Sequence, residues 1–118
     1  MTIASANYTA HYQRRRHQEQ RRREHYDLGQ IRAQEAAEYL KDRFGVETVW
    51  LFGSMLNADD VYLESDIDLA VKGLDLDRYC EALGDLLINI KEFSLDLVRI
   101  ESASDSLKRV IHGQGRVL

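Results

Sequence analysis

Apolar and polar positions divide the chain into a polar front and a more apolar body. Residues 11–27 are polar nearly all round, and RRRHQEQ followed by RRREHYD reads as one heptad written twice. The apolar a and d positions of a coiled coil are missing, so this stretch predicts a solvated helix, with Glu19 at helical spacing from Arg15, Arg22 and Arg23. Residues 1–10 carry no periodicity and predict a frayed end. After Gly29 the pattern changes. Ala33, Ala36, Ala37, Leu40 and Phe44 recur on one helical face, which predicts a core helix over residues 31–43 that Gly45 can stop.

Further on, VETVWLF (46–52) is short, β-branched and aromatic, and predicts a buried strand ending at Gly53. DIDLAV (66–71) predicts the next strand; its alternation sends Ile67, Leu69 and Val71 to one face and Asp66, Asp68 and Ala70 to the other. Between residues 75 and 91, Leu76, Tyr79, Cys80, Leu83, Leu86, Leu87 and Ile90 follow helical spacing, which predicts an amphipathic helix on the sheet with Cys80 in the core. FSLDLVRI (93–100) predicts a third strand, Ser104 can cap a last helix through about residue 112, and GQGRVL can close with a short edge strand. The order predicts an α+β fold, a mixed β-sheet with helices packed on one face, preceded by an N-terminal helical extension. Residues 1–30 form the Arg-rich extension in this reading, and residues 31–118 the folded domain.

Composition narrows the classes. A chain of 118 residues with 44% hydrophobic and 31% charged residues is the size and make-up of a single globular domain. No apolar run approaches the roughly 18 residues of a membrane span, and the start lacks a secretory apolar segment, so a cytoplasmic protein is expected. The single cysteine, Cys80, excludes an internal disulfide framework and a thiolate metal cluster. The formal charge of −4 hides an asymmetry: in residues 1–32 seven arginines face Glu19, Glu24 and Asp27, for +4, leaving −8 on residues 33–118. An acidic body argues against nucleic acid as a direct substrate. The basic extension can be a solvated helix or partly disordered arm, a contact surface for a partner protein, or a nucleic-acid contact.

The candidate chemistry lies in LFGSMLNADDVYLESDIDLAV, residues 51–71. Asp66 and Asp68 share a strand face with their bases roughly 6–7 Å apart. Two uncompensated charges at ~6 Å and an effective dielectric of ~20 repel by about 3 kcal/mol. A divalent cation removes that penalty, whereas on a solvated sheet face the pair is harmless. Asp96 interrupts the apolar run Leu95-Asp96-Leu97-Val98. Beside the second strand it would complete a three-carboxylate site of the hard-oxygen kind that Mg²⁺ prefers; at an edge it could instead pair with Arg99 or Lys91. Gly53-Ser54, at the end of a buried strand, can present backbone N–H groups and a hydroxyl to phosphate oxygens, or can be an ordinary turn.

Together, LFGSM…ESDIDLAV is similar to the signature of the DNA polymerase β-type nucleotidyltransferase superfamily: a G-S pair, a spacer, then D-x-D. The short length, and Asp96 in SLDLV, make the chain resemble the minimal nucleotidyltransferases, commonly encoded as antitoxin partners of HEPN-domain toxins. The resemblance covers roughly residues 31–118, and the spacer ADDVYLE lacks the basic, glycine-rich character common in the family. It implies ATP as substrate and two Mg²⁺ ions, with Asp66 and Asp68 ligating both and Asp96 holding the catalytic ion and helping to deprotonate the acceptor. Gly53 and Ser54 would hold the β- and γ-phosphates. The implied reaction is transfer of AMP to a hydroxyl, a tyrosine of a cognate HEPN ribonuclease toxin. Two alternatives are an antitoxin that neutralises its toxin by stoichiometric binding, and nucleotidyl transfer to a small molecule.

Other side chains are weaker candidates. Lys72 could reach a phosphate, but strand-end lysines are usually solvated. Tyr62 could stack on a base or be a partly buried loop residue. His11, His17, His25 and His112 lack ligand spacing and are read as surface or capping residues.

Overall fold

The computed structural model describes residues 3–118, with side chains from Thr9 onward. The expected frayed end falls partly on Met1 and Thr2, outside the described residues; from Ile3 the backbone is helical. One α-helix, α1, runs from Ile3 to Phe44 without a break. At 1.5 Å per residue its 42 residues account for most of the molecule's 67 Å long dimension. It therefore continues straight through Gly29. The expected change of element there is a close approach instead: Gly29 is buried, and a Cβ at this position would collide with the Met55 side chain. The inward stripe of α1 reaches back from Phe44, Leu40, Ala37, Ala36 and Ala33 through Gly29 to half-buried Tyr26, His25 and Arg22. Its period is helical throughout, but its last members are polar. Residues 9–21 are exposed on every side. None of the ion pairs among the described residues involves Glu19. At the C-terminal end Gly45, with φ of 68°, reverses the chain and donates its N–H to Lys41 O at 3.1 Å.

The sheet has the order β3-β2-β1-β4. β1 (Thr48–Phe52) pairs antiparallel with β2 (Ile67–Lys72) and with the two-residue β4 (Arg116–Val117), while β2 pairs in parallel with β3 (Leu95–Arg99). The parallel pair needs a crossover, supplied by a 3-10 turn at Leu76–Arg78 and helix α2 (Tyr79–Asn89). Val49 and Leu51 of β1, Ile67, Leu69 and Val71 of β2, and Leu95 and Leu97 of β3 form one buried layer with the inward residues of α1 and α2. On the opposite face Trp50 and Ala70 pack with Ile100 and with Ile111 of the short helix α3 (Asp105–Gln114). The two larger helices thus share one face, and α3 covers only part of the other. Ser104 caps α3 as expected, its Oγ accepting from Leu107 N at 3.2 Å.

Helix α2 sits differently from its expected orientation. Ala82, Leu86 and Ile90 are buried, whereas Leu76, Cys80 and Leu87 are exposed. Cys80 is therefore not a core residue. At 100° per residue it lies about 200° around the helix from Ala82, and the narrow sheet beneath covers only the arc centred on Ala82 and Leu86. Among the described residues no helix is long and apolar enough to cross a membrane.

Candidate active site

The strand register assembles the site. Phe52, the last residue of β1, faces Asp68 across the antiparallel pair, so the chain leaves the sheet at Gly53 directly beside that carboxylate. Gly53 has φ of 77°, a region open mainly to glycine, and a Cβ here would strike the Asp68 carboxylate. Its backbone therefore lies against Asp68. Ser54 follows in a 3-10 turn, Gly53–Leu56, and a second turn, Ala58–Asp60, leads into the loop that returns to β2.

The parallel register aligns Asp68 with Asp96, and Asp66 immediately precedes β2. One carboxylate oxygen from each of Asp66, Asp68 and Asp96 lies within 4.8 Å of the other two. The alternative pairing of Asp96 is not formed: Arg99 donates its Nε to Leu74 O at 2.8 Å and a terminal nitrogen to Ser102 Oγ at 2.6 Å. No ion pair among the described residues joins Asp96 to Lys91. Beside the carboxylates lies a depression of about 260 Å³ lined by Ser54, Tyr62, Glu64, Ser65, Asp66 and Asp68. None of these residues is basic. Half-buried Asp68 is accordingly pushed up to about 6 from 3.8, first by burial and then by the charges of Asp96 and Asp66. The donor set is all oxygen, crowded and without an internal counter-charge, so it fits a hard divalent cation.

Supports for this cluster come from α1, where sequence reasoning placed none. His25 Nε2 lies 3.1 Å from Ser65 O, and its ring is 4.5 Å from that of Phe93. His25 is half-buried, not the surface residue expected. Gln30 donates to Met55 O at 2.6 Å and accepts from Arg116, tying the turn after Gly53 to both α1 and β4. Buried Ser65 closes the loop before Asp66, its Oγ accepting from Tyr62 N at 2.7 Å. The signal available for these contacts was the continuation of the α1 stripe at four-residue steps, positions 25, 29 and 33.

The weaker candidates separate clearly. Tyr62 is 68% exposed at the rim of the depression, so it is not a partly buried loop residue. Lys72 lies at the far end of β2, roughly 20 Å along the strand from Asp66, and pairs with Glu47 at 3.9 Å. His11, His17 and His112 are exposed, the last edge-on to Trp50.

A mixed sheet that gathers three carboxylates opposite a strand-ending Gly-Ser turn defines a domain of the nucleotidyltransferase class. The chain belongs to the polymerase beta nucleotidyltransferase family, whose profile it matches over residues 34–118. Its structure is similar to a chain of the MntA–HepT toxin–antitoxin crystal structure, with 27% identity, 75% of this chain and 69% of that chain covered, and a TM-score of 0.57. It is also similar to a chain of a toxin–antitoxin crystal structure with AMP-PNP, with 30% identity, 68% and 66% covered, and a TM-score of 0.58. A third similar structure is that of a tri-AMPylated Shewanella oneidensis HEPN toxin in complex with MNT antitoxin, with 27% identity, 75% and 70% covered, and a TM-score of 0.58. No curated protein sequence matches the chain.

Proposed function

We propose that this nucleotidyltransferase transfers AMP from ATP to a hydroxyl, a tyrosine, of a cognate HEPN ribonuclease toxin, and so acts as its antitoxin. The convergence of Asp66, Asp68 and Asp96 within 4.8 Å carries the reading. The tri-AMPylated toxin and the AMP-PNP complex among the similar structures support its chemistry and its partner.

In this reading Asp66, Asp68 and Asp96 would hold two Mg²⁺ ions, which when bound neutralise charge on the triphosphate and lower the pKa of the attacking hydroxyl. The backbone N–H groups at Gly53 and Ser54, with the serine hydroxyl, bind the β- and γ-phosphates. Asp96, which is exposed, takes the proton of the acceptor hydroxyl. The acceptor oxygen bonds to the α-phosphorus, the bond from that phosphorus to its bridging oxygen breaks, and pyrophosphate leaves. Ser65 and the loop it closes keep Asp66 directed at the same point.

The basic front of α1 serves the partner rather than the nucleotide. Arg22 and Arg23 still line a depression against the body with Glu19, Ala58 and Asp59, whereas residues 10–18 are exposed on every side. Removing residues 1–18 should leave AMP-PNP affinity within about twofold of the full chain while weakening toxin binding more at low salt than at high salt, because exposed arginine contacts are screened. Calorimetry at two salt concentrations checks this.

The reaction itself is tested by incubating the toxin with substoichiometric protein, ATP and Mg²⁺. Intact-mass spectra should show every toxin molecule carrying added AMP and no ribonuclease activity. Asp66→Ala and Asp68→Ala should lose both effects. Silencing only at a one-to-one ratio, with no mass increment and with the alanine variants equally effective, would replace the enzyme by a stoichiometric antitoxin.

A further inference from the structure

We propose that His25 is a positioning residue that holds the two carboxylate-bearing segments together, an inference that rests on the metal-site reading above. Asp66, immediately before β2, and Asp96, on β3, enter the cluster from different segments. Asp66 follows Ser65, whose carbonyl oxygen lies 3.1 Å from His25 Nε2. Asp96 stands three residues beyond Phe93, against whose ring the same imidazole packs at 4.5 Å with a 44° tilt. One side chain therefore touches both approaches to the site. Between them the strand starts are joined by a backbone hydrogen bond from Ile67 N to Ser94 O, 3.0 Å.

The need for such a clamp follows from the charges. Carboxylates this close push one another apart when no cation is present, and the direction of least resistance is a parting of β2 and β3 at their first residues, where the ladder begins. A carbonyl oxygen is an acceptor only, so His25 Nε2 carries the hydrogen and donates to Ser65 O. Both the neutral tautomer with a proton on Nε2 and the imidazolium can make that bond, so the role is geometric. His25 is itself held by a rigid element: from Ala33 to Leu40 the same face of α1 is locked into the core. Loss of a group that hydrogen-bonds a metal ligand directly typically costs about 10–100-fold in metal affinity or activity; His25 acts one residue away, through the Ser65 carbonyl, so the low end of that range, about tenfold, is expected.

Two full-length variants separate the hydrogen bond from the packing. His25→Leu keeps an apolar body against Phe93 and removes the donor, whereas His25→Gln keeps a donor that can reach Ser65 O. Mn²⁺ titration followed by electron paramagnetic resonance should show His25→Leu binding about tenfold more weakly than wild type, with His25→Gln recovering most of that loss. The Mg²⁺ concentration giving half-maximal AMP transfer should move in parallel, with kcat at saturating Mg²⁺ less affected. Equal Mn²⁺ affinity in wild type and His25→Leu would overturn the positioning role and leave the metal site standing, as would a His25→Gln variant no better than His25→Leu. A wild-type chain that binds no Mn²⁺ would instead overturn the metal site itself, and the role of His25 with it.

Discussion

Asp68→Asn is expected to stabilise the metal-free protein near neutral pH while reducing AMP transfer by about a thousandfold or more, the scale on which a preorganised group in contact with the transition state is lost. The stability half of this result follows from the position of Asp68. Its carboxyl is pushed up to about 6 in the folded protein from an ordinary value of 3.8, by burial first and by Asp96 and Asp66 after that. A folded carboxyl that holds its proton more tightly than the unfolded one favours folding most below the unfolded value, and that contribution is lost as pH rises through about 6. Metal-free wild type should therefore melt at progressively lower temperature between about pH 4 and pH 7. Because Asp68 is only half-buried, solvent screening reduces the effect to about 1–2 kcal/mol. Asparagine carries no charge, so Asp68→Asn should remove this part of the slope, and saturating Mg²⁺ should restore wild type at pH 7 but not the variant. Thermal melts across pH with EDTA or Mg²⁺ read all of this directly. A wild-type profile identical to that of the variant would mean that Asp68 does not occupy this half-buried, acidic setting in solution.

The alternation in DIDLAV was enough to bring Asp66 and Asp68 to one side, because a half-buried strand betrays its facing by period alone, although β2 itself begins one residue later, at Ile67. Pairing Asp68 with Asp96 was different. That contact depends on a parallel register set by the length and packing of the α2 crossover, and nothing within LDLVRI encodes it. Helix α1 misled for a physical reason of another kind. Gly29 carries the lowest helix propensity of any residue but proline, yet it lies where α1 must touch Met55, and packing outweighs propensity there. The inward stripe beyond it is written in His25 and Arg22, which do not register as apolar, so the support for the site went unseen while the alanine and leucine part of the same stripe was plain. Cys80 failed in the opposite sense: an apolar position on an amphipathic helix was left outside because the surface beneath α2 is narrower than the stripe.

Gly53→Ala should combine a backbone penalty with a direct blow to the site, and a second glycine in this chain separates the two. Gly45 has φ of 68° and open space where a Cβ would stand, so Gly45→Ala pays only for forcing an L-residue into the left-handed region. That costs about 1–2 kcal/mol, and AMP-PNP affinity should be unchanged. Gly53 has nearly the same backbone angle, 77°, but its added methyl would meet the Asp68 carboxylate. Relief requires either the turn to lift from β2, which turns the Gly53 and Ser54 N–H groups away from the phosphates, or Asp68 to swing from Asp66 and Asp96, which opens the carboxylate cluster. Both routes damage nucleotide binding. Gly53→Ala should therefore be destabilised by about 2–3 kcal/mol and should bind AMP-PNP with Mg²⁺ at least about tenfold more weakly, as losing a well-made set of charge-assisted hydrogen bonds requires. Denaturant unfolding and calorimetry on the two alanine variants give the comparison. If Gly53→Ala lost stability no more than Gly45→Ala and kept wild-type affinity, the turn would be a simple strand ending, and the phosphates would have to be held elsewhere.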